Sequence, residues 1–318
     1  MIGATSQVAV KAVLPAIAAT PSAVLTAVAS RRATVPFDRS TVHVHATYQA
    51  LLDDPDVDAV YVPLPNSLHR EWVERAADAG KHVLCEKPLA TSVSDAEAMA
   101  TTCVKAGVTL LEAYMTTFHP RARAIETLVS SGTLGKLRFA RAAFTGVLDR
   151  HDDHRWRIEM GGGALLDLGI YCVAPLIAAA GRPPRRVEAS AALAPLGVDA
   201  SFSGWLDFGD GFAASIECSF DAPERQLLEF VGTEAVIHVD RAFTPTQDDT
   251  TFWLRRRDGR SEEIVGGGVD PYRAMIEHFH AVVRGGVKPH RSMTDSLAVL
   301  AVLERLREAA IREKEHHN

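Results

Sequence analysis

Residues 57–90, VDAVYVPLPNSLHREWVERAADAGKHVLCEKPLA, carry the signature of two strands joined by a helix. Val57–Val62 and His82–Cys85 are short runs dominated by β-branched and other apolar residues, as expected of strands covered on both faces. Between them, His69–Ala79 places Trp72, Val73, Ala76 and Ala77 on one helical face. Asn66 or Ser67 can cap its start, and Gly80 can close its end. Such a crossover requires parallel strands. Working outward, Val24–Ala29 and Val108–Glu112 read as further strands of the same sheet.

After His119-Pro120 the pattern changes. A helix over Arg121–Ser130 precedes long alternating strands: Arg138–Gly146, Val187–Leu193, Phe202–Phe208, Phe212–Phe220, Leu227–Val231, Val236–Val239 and Phe252–Arg257. Phe208-Gly209-Asp210-Gly211 and Asp258-Gly259 supply hairpin turns. Helices near Tyr272–Arg284 and Asp295–Glu313 finish the chain. The expected α/β architecture is an N-terminal Rossmann doubly wound parallel sheet (1–120) with a truncated first strand. A C-terminal α+β domain (121–318) follows, with a large open, mostly antiparallel sheet.

The 318 residues include 34 Lys+Arg and 40 Asp+Glu, a formal charge of -6, with 47% hydrophobic residues. This supports a sizeable core and argues against the basic excess of a nucleic-acid binder. Of the four cysteines, Cys85, Cys172 and Cys218 lie in apolar runs. They and Cys103 lack ligand spacing and read as buried, reduced thiols. His43 and His45 alternate on a short segment, and His151 and His154 flank acids; both read as chance pairs, so no metal is expected. No signal peptide opens the chain, and no apolar run reaches the ~18 residues of a membrane span. A cytoplasmic protein without a membrane partner is the expectation.

A doubly wound sheet binds dinucleotides at the carboxyl ends of its strands. The glycine-rich fingerprint is reduced here to Met1-Ile2-Gly3-Ala4-Thr5-Ser6-Gln7-Val8, with a single glycine. Gly3, Thr5, Ser6, Gln7 and Val8 are the candidates for holding the pyrophosphate. The second strand ends Val28-Ala29-Ser30-Arg31-Arg32, where NAD-selective sheets place a carboxylate. A hydroxyl and two guanidiniums suit a 2′-phosphate instead, so Ser30, Arg31 and Arg32 favour NADP(H) over NAD(H).

Two further stretches carry chemistry. Lys81-His82-Val83-Leu84-Cys85-Glu86-Lys87-Pro88 ends an apolar strand in two opposite charges held by an X-Pro bond, at the sheet edge where ligands bind. In Arg155-Trp156-Arg157-Ile158-Glu159-Met160-Gly161-Gly162-Gly163-Ala164-Leu165-Leu166-Asp167-Leu168-Gly169-Ile170-Tyr171, glycines permit close backbone approach before a helix. Asp167 and Tyr171, four residues apart, share one face of that helix.

On these two stretches the chain resembles the glucose–fructose oxidoreductase/inositol dehydrogenase (Gfo/Idh/MocA) family, over residues 1 to about 312. Glu86-Lys87-Pro88 is similar to its signature motif, and GGGALLDLGIY to the segment carrying its acid and proton donor. Pro65-Asn66-Ser67-Leu68-His69 resembles the loop after the preceding strand, and Glu112-Ala113-Tyr114-Met115 through Phe118-His119-Pro120 its domain junction. Tyr171, rather than a histidine, resembles the branch with dihydrodiol and xylose dehydrogenases and sugar 3-ketoreductases. The resemblance implies an NAD(P)-dependent oxidoreductase with its nicotinamide between the Rossmann domain and the open sheet. It adds Leu64, Asn66, His69, Glu86, Lys87, Trp156 and Arg157 to the cofactor contacts. A homodimer or homotetramer through the C-terminal sheet is also implied.

Moving hydride to a ketone builds negative charge on oxygen and requires a proton. Lys87 can supply charge and a donor, Tyr171 the proton, and Asp167 a substrate contact or a share of the transfer. Lys87, Tyr114, Asp167 and Tyr171 form the expected substrate set, with His119 read as a junction residue. The expected function is reduction of a sugar, preferably a keto-deoxysugar and including nucleotide-linked ones. The alternatives are an aldose or trans-dihydrodiol dehydrogenase and, from another class, a catalytically silent nucleotide-sensing regulator.

Overall fold

The computed structural model describes residues 1–30 and 41–317, and the chain forms two compact units. The first comprises Met1–Met115 and Asp270–Leu297; the second comprises Thr116–Val269 and Ala298–Asn318. Residues 270–297, assigned from sequence to the second domain, group instead with the first unit.

In the first unit, β1 (Ala27–Ala29) pairs in parallel with β2 (His43–His45), and β3 (Ala59–Val62), β4 (His82–Glu86) and β5 (Leu110–Ala113) pair in parallel in that order. Two differences from the sequence reading stand out. β1 keeps only the last half of the expected Val24–Ala29, and β2 was not expected at all, because three residues are too few to show a period. The N-terminal residues nevertheless occupy the place of the first strand. Ile2 bridges Ala29 in parallel, Ala29 N–H donates to Met1 O at 2.9 Å, and Ile2 N–H donates to Tyr61 O at 3.2 Å. Met1–Ile2 therefore join the two strand groups, giving the order of a doubly wound dinucleotide fold: β2, β1, the N-terminal residues, β3, β4, β5.

Crossover helices cover this sheet. α1 (Leu14–Ala18) continues a π-helical run Ala9–Val13, and α2 (Tyr48–Leu52) is capped by the Thr47 hydroxyl. α3 (His69–Asp78) buries Val73, Ala76 and Ala77, and α4 (Val93–Ala106) buries Ala96, Met99 and Cys103. α3 ends as read, at Ala79-Gly80, where Gly80 takes φ 73°.

The second unit opens with α5 (Pro120–Ser130) and is built on an eight-stranded mixed sheet. Its strands are β6 (Leu137–Thr145), β7 (Arg186–Leu193), β8 (Asp199–Gly209), β9 (Phe212–Ser219), β10 (Arg225–Gly232), β11 (Ala235–Asp240), β12 (Thr251–Arg256) and β13 (Ser261–Val265). The spatial order is β13-β12-β11-β10-β6-β9-β8-β7, with only β6 and β9 parallel. β13 is the strand sequence reading missed; its Ser-Glu-Glu-Ile-Val is too polar to signal an edge strand. One sheet face is covered by α6 (Ile170–Ala180) and by α8 (Met293–His317), which sits so close that a Cβ on Gly204 would meet Leu306 Cδ2 at 2.9 Å. α7 (Pro271–Val283) belongs to the first unit.

The helical stretch Ile158–Ala180 passes for a membrane span by length and composition, but Asp167 interrupts its apolar run. Its apolar window is 67% buried within the protein, and it is the helix that fills the second unit's core. All four cysteines are free and buried.

Candidate active site

In the first unit the polar residues collect at the C-terminal ends of β4 and β5. The register sets Glu86 opposite Ala113, so Lys87 and Tyr114 leave adjacent strand ends. Glu86 is buried and committed on both oxygens: Tyr61 Oη donates to Oε1 at 2.5 Å, and Lys87 N–H donates to Oε2 at 3.3 Å. Burial, with the Glu86 carboxylate beside it, holds the Tyr61 phenol well above its ordinary range. Glu86 is thus a clamp on the loop that presents Lys87, which is half-buried; the Lys87–Pro88 peptide is cis.

The same loop is held from two other sides. His69, fully buried, faces the carbonyls of Pro88 (3.1 Å) and Leu89 (3.2 Å) with Nδ1 and that of Leu64 (2.9 Å) with Nε2. It ties the loop after β3 to the loop after β4. Burial lowers its proton affinity, opposed by those carbonyls. Leu89 N–H donates to Glu112 Oε1 at 2.9 Å, while Glu112 Oε2 accepts from Arg291 Nε at 2.8 Å and Ser296 Oγ at 2.7 Å. The Arg291 guanidinium also lies 4.7 Å above the Tyr114 ring, within cation–π range. Arg291 and Ser296 are some 180 residues from Glu112 in sequence, so no local pattern announced this post under the Lys87 loop.

The N-terminal turn fits a dinucleotide. Gly3 has φ 66°, and a Cβ there would meet Leu64 Cδ2 at 2.8 Å, so the one retained fingerprint glycine is required on both counts. Ser6 N–H donates to Gly3 O at 2.9 Å, and the helix starts at Gln7, placing its orphan N–H groups at the junction of the two strand groups. Thr5, Ser6 and Val8 are half-buried and Gln7 is exposed; Leu64 and Ser30 are buried, and Asn66 opens a short 3₁₀ turn. Arg31 and Arg32 lie outside the described residues.

In the second unit, the glycine run turns back on its own chain. Gly162 N–H donates to Arg157 O at 3.0 Å and Gly163 N–H to Arg155 O at 2.9 Å. A Cβ on Gly162 would lie 2.3 Å from Arg155 O, and one on Gly163 2.1 Å from Asp199 Oδ1. This tight return brings Arg155 onto Asp167, with Nε 2.9 Å from Oδ2. Asp167 lies within a π-helical turn, Leu165–Gly169, a form concentrated at functional sites, which runs into the α-helix bearing Tyr171. Tyr171 is buried in an aromatic cluster, edge-on to Phe144 (5.5 Å) and tilted against Phe243 (6.3 Å).

Trp156 is buried in the second unit, its Nε1–H donating to Leu148 O at 3.2 Å, and Arg157 is exposed. His119 is the junction residue it was read as. Its Nε2–H donates to Thr246 O at 3.0 Å and its Nδ1 accepts Arg121 N–H at 3.2 Å, capping α5. Lys87 and Tyr114 belong to the first unit, and Asp167 and Tyr171 to the second.

Asp199 is a residue the sequence reading missed. Its Oδ2 accepts Leu165 N–H at 2.6 Å, anchoring the start of the helix that bears Asp167 and Tyr171. Burial raises its pKa from 3.8 to about 6. Above the unfolded pKa the unfolded chain loses this proton more readily than the folded one, so the second unit loses stability as pH rises through about 6. Asp199→Asn removes that titration. Between pH 4.5 and 7.5 the variant's stability relative to the parent, measured by urea unfolding, should rise by about 2 kcal/mol.

Comparison with known proteins agrees with this architecture. Residues 1–114 match the oxidoreductase family with an NAD-binding Rossmann fold, GFO_IDH_MocA, and residues 122–238 match the GFO/IDH/MocA C-terminal domain. A D-xylose 1-dehydrogenase (NADP(+)) of Haloferax volcanii is 34% identical over 310 residues, 96% of this chain and 95% of that protein. The dTDP-3,4-didehydro-2,6-dideoxy-alpha-D-glucose 3-reductase of Actinomadura kijaniata is 32% identical over 96% of this chain and 93% of its own. The crystal structure of KijD10, a 3-ketoreductase from Actinomadura kijaniata in complex with NADP and TDP-benzene, superposes with a TM-score of 0.91 at 32% identity, covering 97% of this chain and 96% of that one. The chain belongs to the Gfo/Idh/MocA family and is an NAD(P)-binding oxidoreductase of that type.

Proposed function

We propose that this oxidoreductase uses NADP(H) to reduce a keto group of a deoxysugar, including nucleotide-linked forms, with Lys87 as the cationic hydrogen-bond donor and Tyr171 as the proton donor. The observation that carries the reading is the presentation of Lys87: one half-buried ammonium at the end of β4, its loop clamped by Glu86, His69 and Glu112. A silent sensor has no need of three buried clamps on one lysine. The preference for NADP(H) rests on the absence of a carboxylate in Ser30-Arg31-Arg32 and on the NADP named for the relatives.

Gly3, Thr5, Ser6 and the helix start at Gln7 would hold the pyrophosphate, and Ser30, Arg31 and Arg32 the 2′-phosphate. The bound nicotinamide supplies, or in reverse accepts, the hydride. Lys87 stabilises the charge that grows on the substrate oxygen and donates a hydrogen bond to it. Tyr171 delivers the proton, because the Asp167 carboxylate is engaged by Arg155 and is better suited to accept a substrate hydroxyl. Tyr114, pinned under Arg291, lines the substrate side beside Lys87.

A second reading, oxidation of a free aldose, draws support from the xylose dehydrogenase likeness, which covers 96% of this chain and 95% of that protein. One experiment separates them. NADPH and NADH are titrated into the purified protein, and keto-deoxysugars, their nucleotide-linked forms and aldoses are screened at the nicotinamide absorbance band. Tighter NADPH binding with fastest turnover of keto-deoxysugars is the expected result; preferential aldose oxidation would establish the second reading, and binding without turnover would defeat both.

A further inference from the structure

Among the described residues, β2 is an edge strand of three residues that pairs only with β1. Residues two apart on a strand share a face, and here His43 and His45 converge on one atom. His43 Nδ1 lies 3.0 Å, and His45 Nε2 2.8 Å, from Asp54 Oδ2. The carboxylate is fixed from other directions: Oδ1 accepts Asp56 N–H at 2.9 Å, and the Asp54 carbonyl accepts the Lys81 ammonium at 2.9 Å. Asp54 is buried, with 6% of its side chain exposed, whereas His43 is 56% exposed and opens the cluster to solvent. The histidine pair read from sequence as a chance one thus shares an aspartate partner in the fold. α2 lies between His45 and Asp54, so only the folded chain brings the third group in.

We propose that His43, His45 and Asp54 form a binding site for a divalent transition-metal ion of the zinc class, which clamps the edge strand to the loop between α2 and β3. Two ligand atoms about 2.1 Å from a tetrahedral zinc ion stand about 3.4 Å apart. The three candidate atoms already lie within 4.8 Å of one another, so closing the widest pair by at most about 1.4 Å admits the ion. Two imidazoles with one carboxylate suit zinc and its neighbours rather than magnesium or calcium, which favour all-oxygen sets. Each neutral ring would turn the lone pair of its inner nitrogen to the metal, with its proton on the outer nitrogen. The remaining coordination positions fall to water on the exposed His43 side.

The cluster is remote from the proposed chemistry. His43 begins β2 and Asp54 precedes β3, which places the ion at the end of the parallel sheet opposite the strand C-termini that carry Lys87 and Tyr114. The ion therefore acts structurally, and the site does not rest on the reductase reading.

The test is a titration of chelator-treated protein with Zn²⁺ by calorimetry and with Co²⁺ by visible absorption. One equivalent should bind in the micromolar range or tighter, with the Co²⁺ band of a low-coordinate nitrogen–oxygen site. His43→Ala, which alters an exposed ring, and His45→Ala should each weaken binding about tenfold or more. Asp54→Asn should do the same, while binding of NADPH stays at the parent level in all three variants. Absence of binding to the parent protein overturns the site. So does equal binding by a His43→Ala/His45→Ala double variant, which would place the ion on other histidines of the chain.

Discussion

Lys87→Ala should lower kcat by about 10²–10³ while NADPH binds with nearly parental affinity. The magnitude is that of removing one preorganised donor from a developing oxyanion. The direction follows from where the ammonium stands: at the end of β4, on a loop whose backbone is held by Glu86, His69 and Glu112 independently of the Lys87 side chain. Truncation therefore leaves the loop in place and removes only the charge. Steady-state kinetics with the keto-deoxysugar, alongside fluorescence titration of NADPH, separate the two quantities. Parental turnover in Lys87→Ala would remove the lysine from the chemistry.

Tyr171→Phe should cost about 10² in kcat, the lower range for loss of a positioned proton donor. The ring sits among Phe144 and Phe243, so phenylalanine keeps the packing and the variant tests the hydroxyl alone. If both groups serve one oxygen, the Lys87→Ala/Tyr171→Phe double variant should fall less than the product of the single effects. A Tyr171→Phe enzyme turning over at the parental rate would assign the proton to water or to the substrate itself. Multiplicative effects in the double variant would mean that the two groups act on separate events.

The parts of the site legible in the sequence are those whose partners lie close along the chain. Glu86-Lys87-Pro88 follows an apolar strand directly, and the glycine run sits beside the helix bearing Asp167 and Tyr171. Each is a local arrangement in which backbone conformation settles where the side chain is presented. Sequence reading was weaker where length removed the period. The three residues of β2 were too short to be seen, and the polar β13 did not stand out from its turns.

The amino-acid order by itself determined the class of fold and the residues offered for chemistry, because strand and crossover periodicities and glycine turns are properties of neighbouring residues. Only the tertiary structure decided what supports them. Arg291 and Ser296 reach Glu112 across more than 170 residues, Asp199 caps a helix 34 residues before it, and Asp54 closes on two histidines from beyond a helix. Each is a buried or half-buried polar group that must find a partner away from water. Such partners are selected by proximity in the folded chain, which no local spacing encodes.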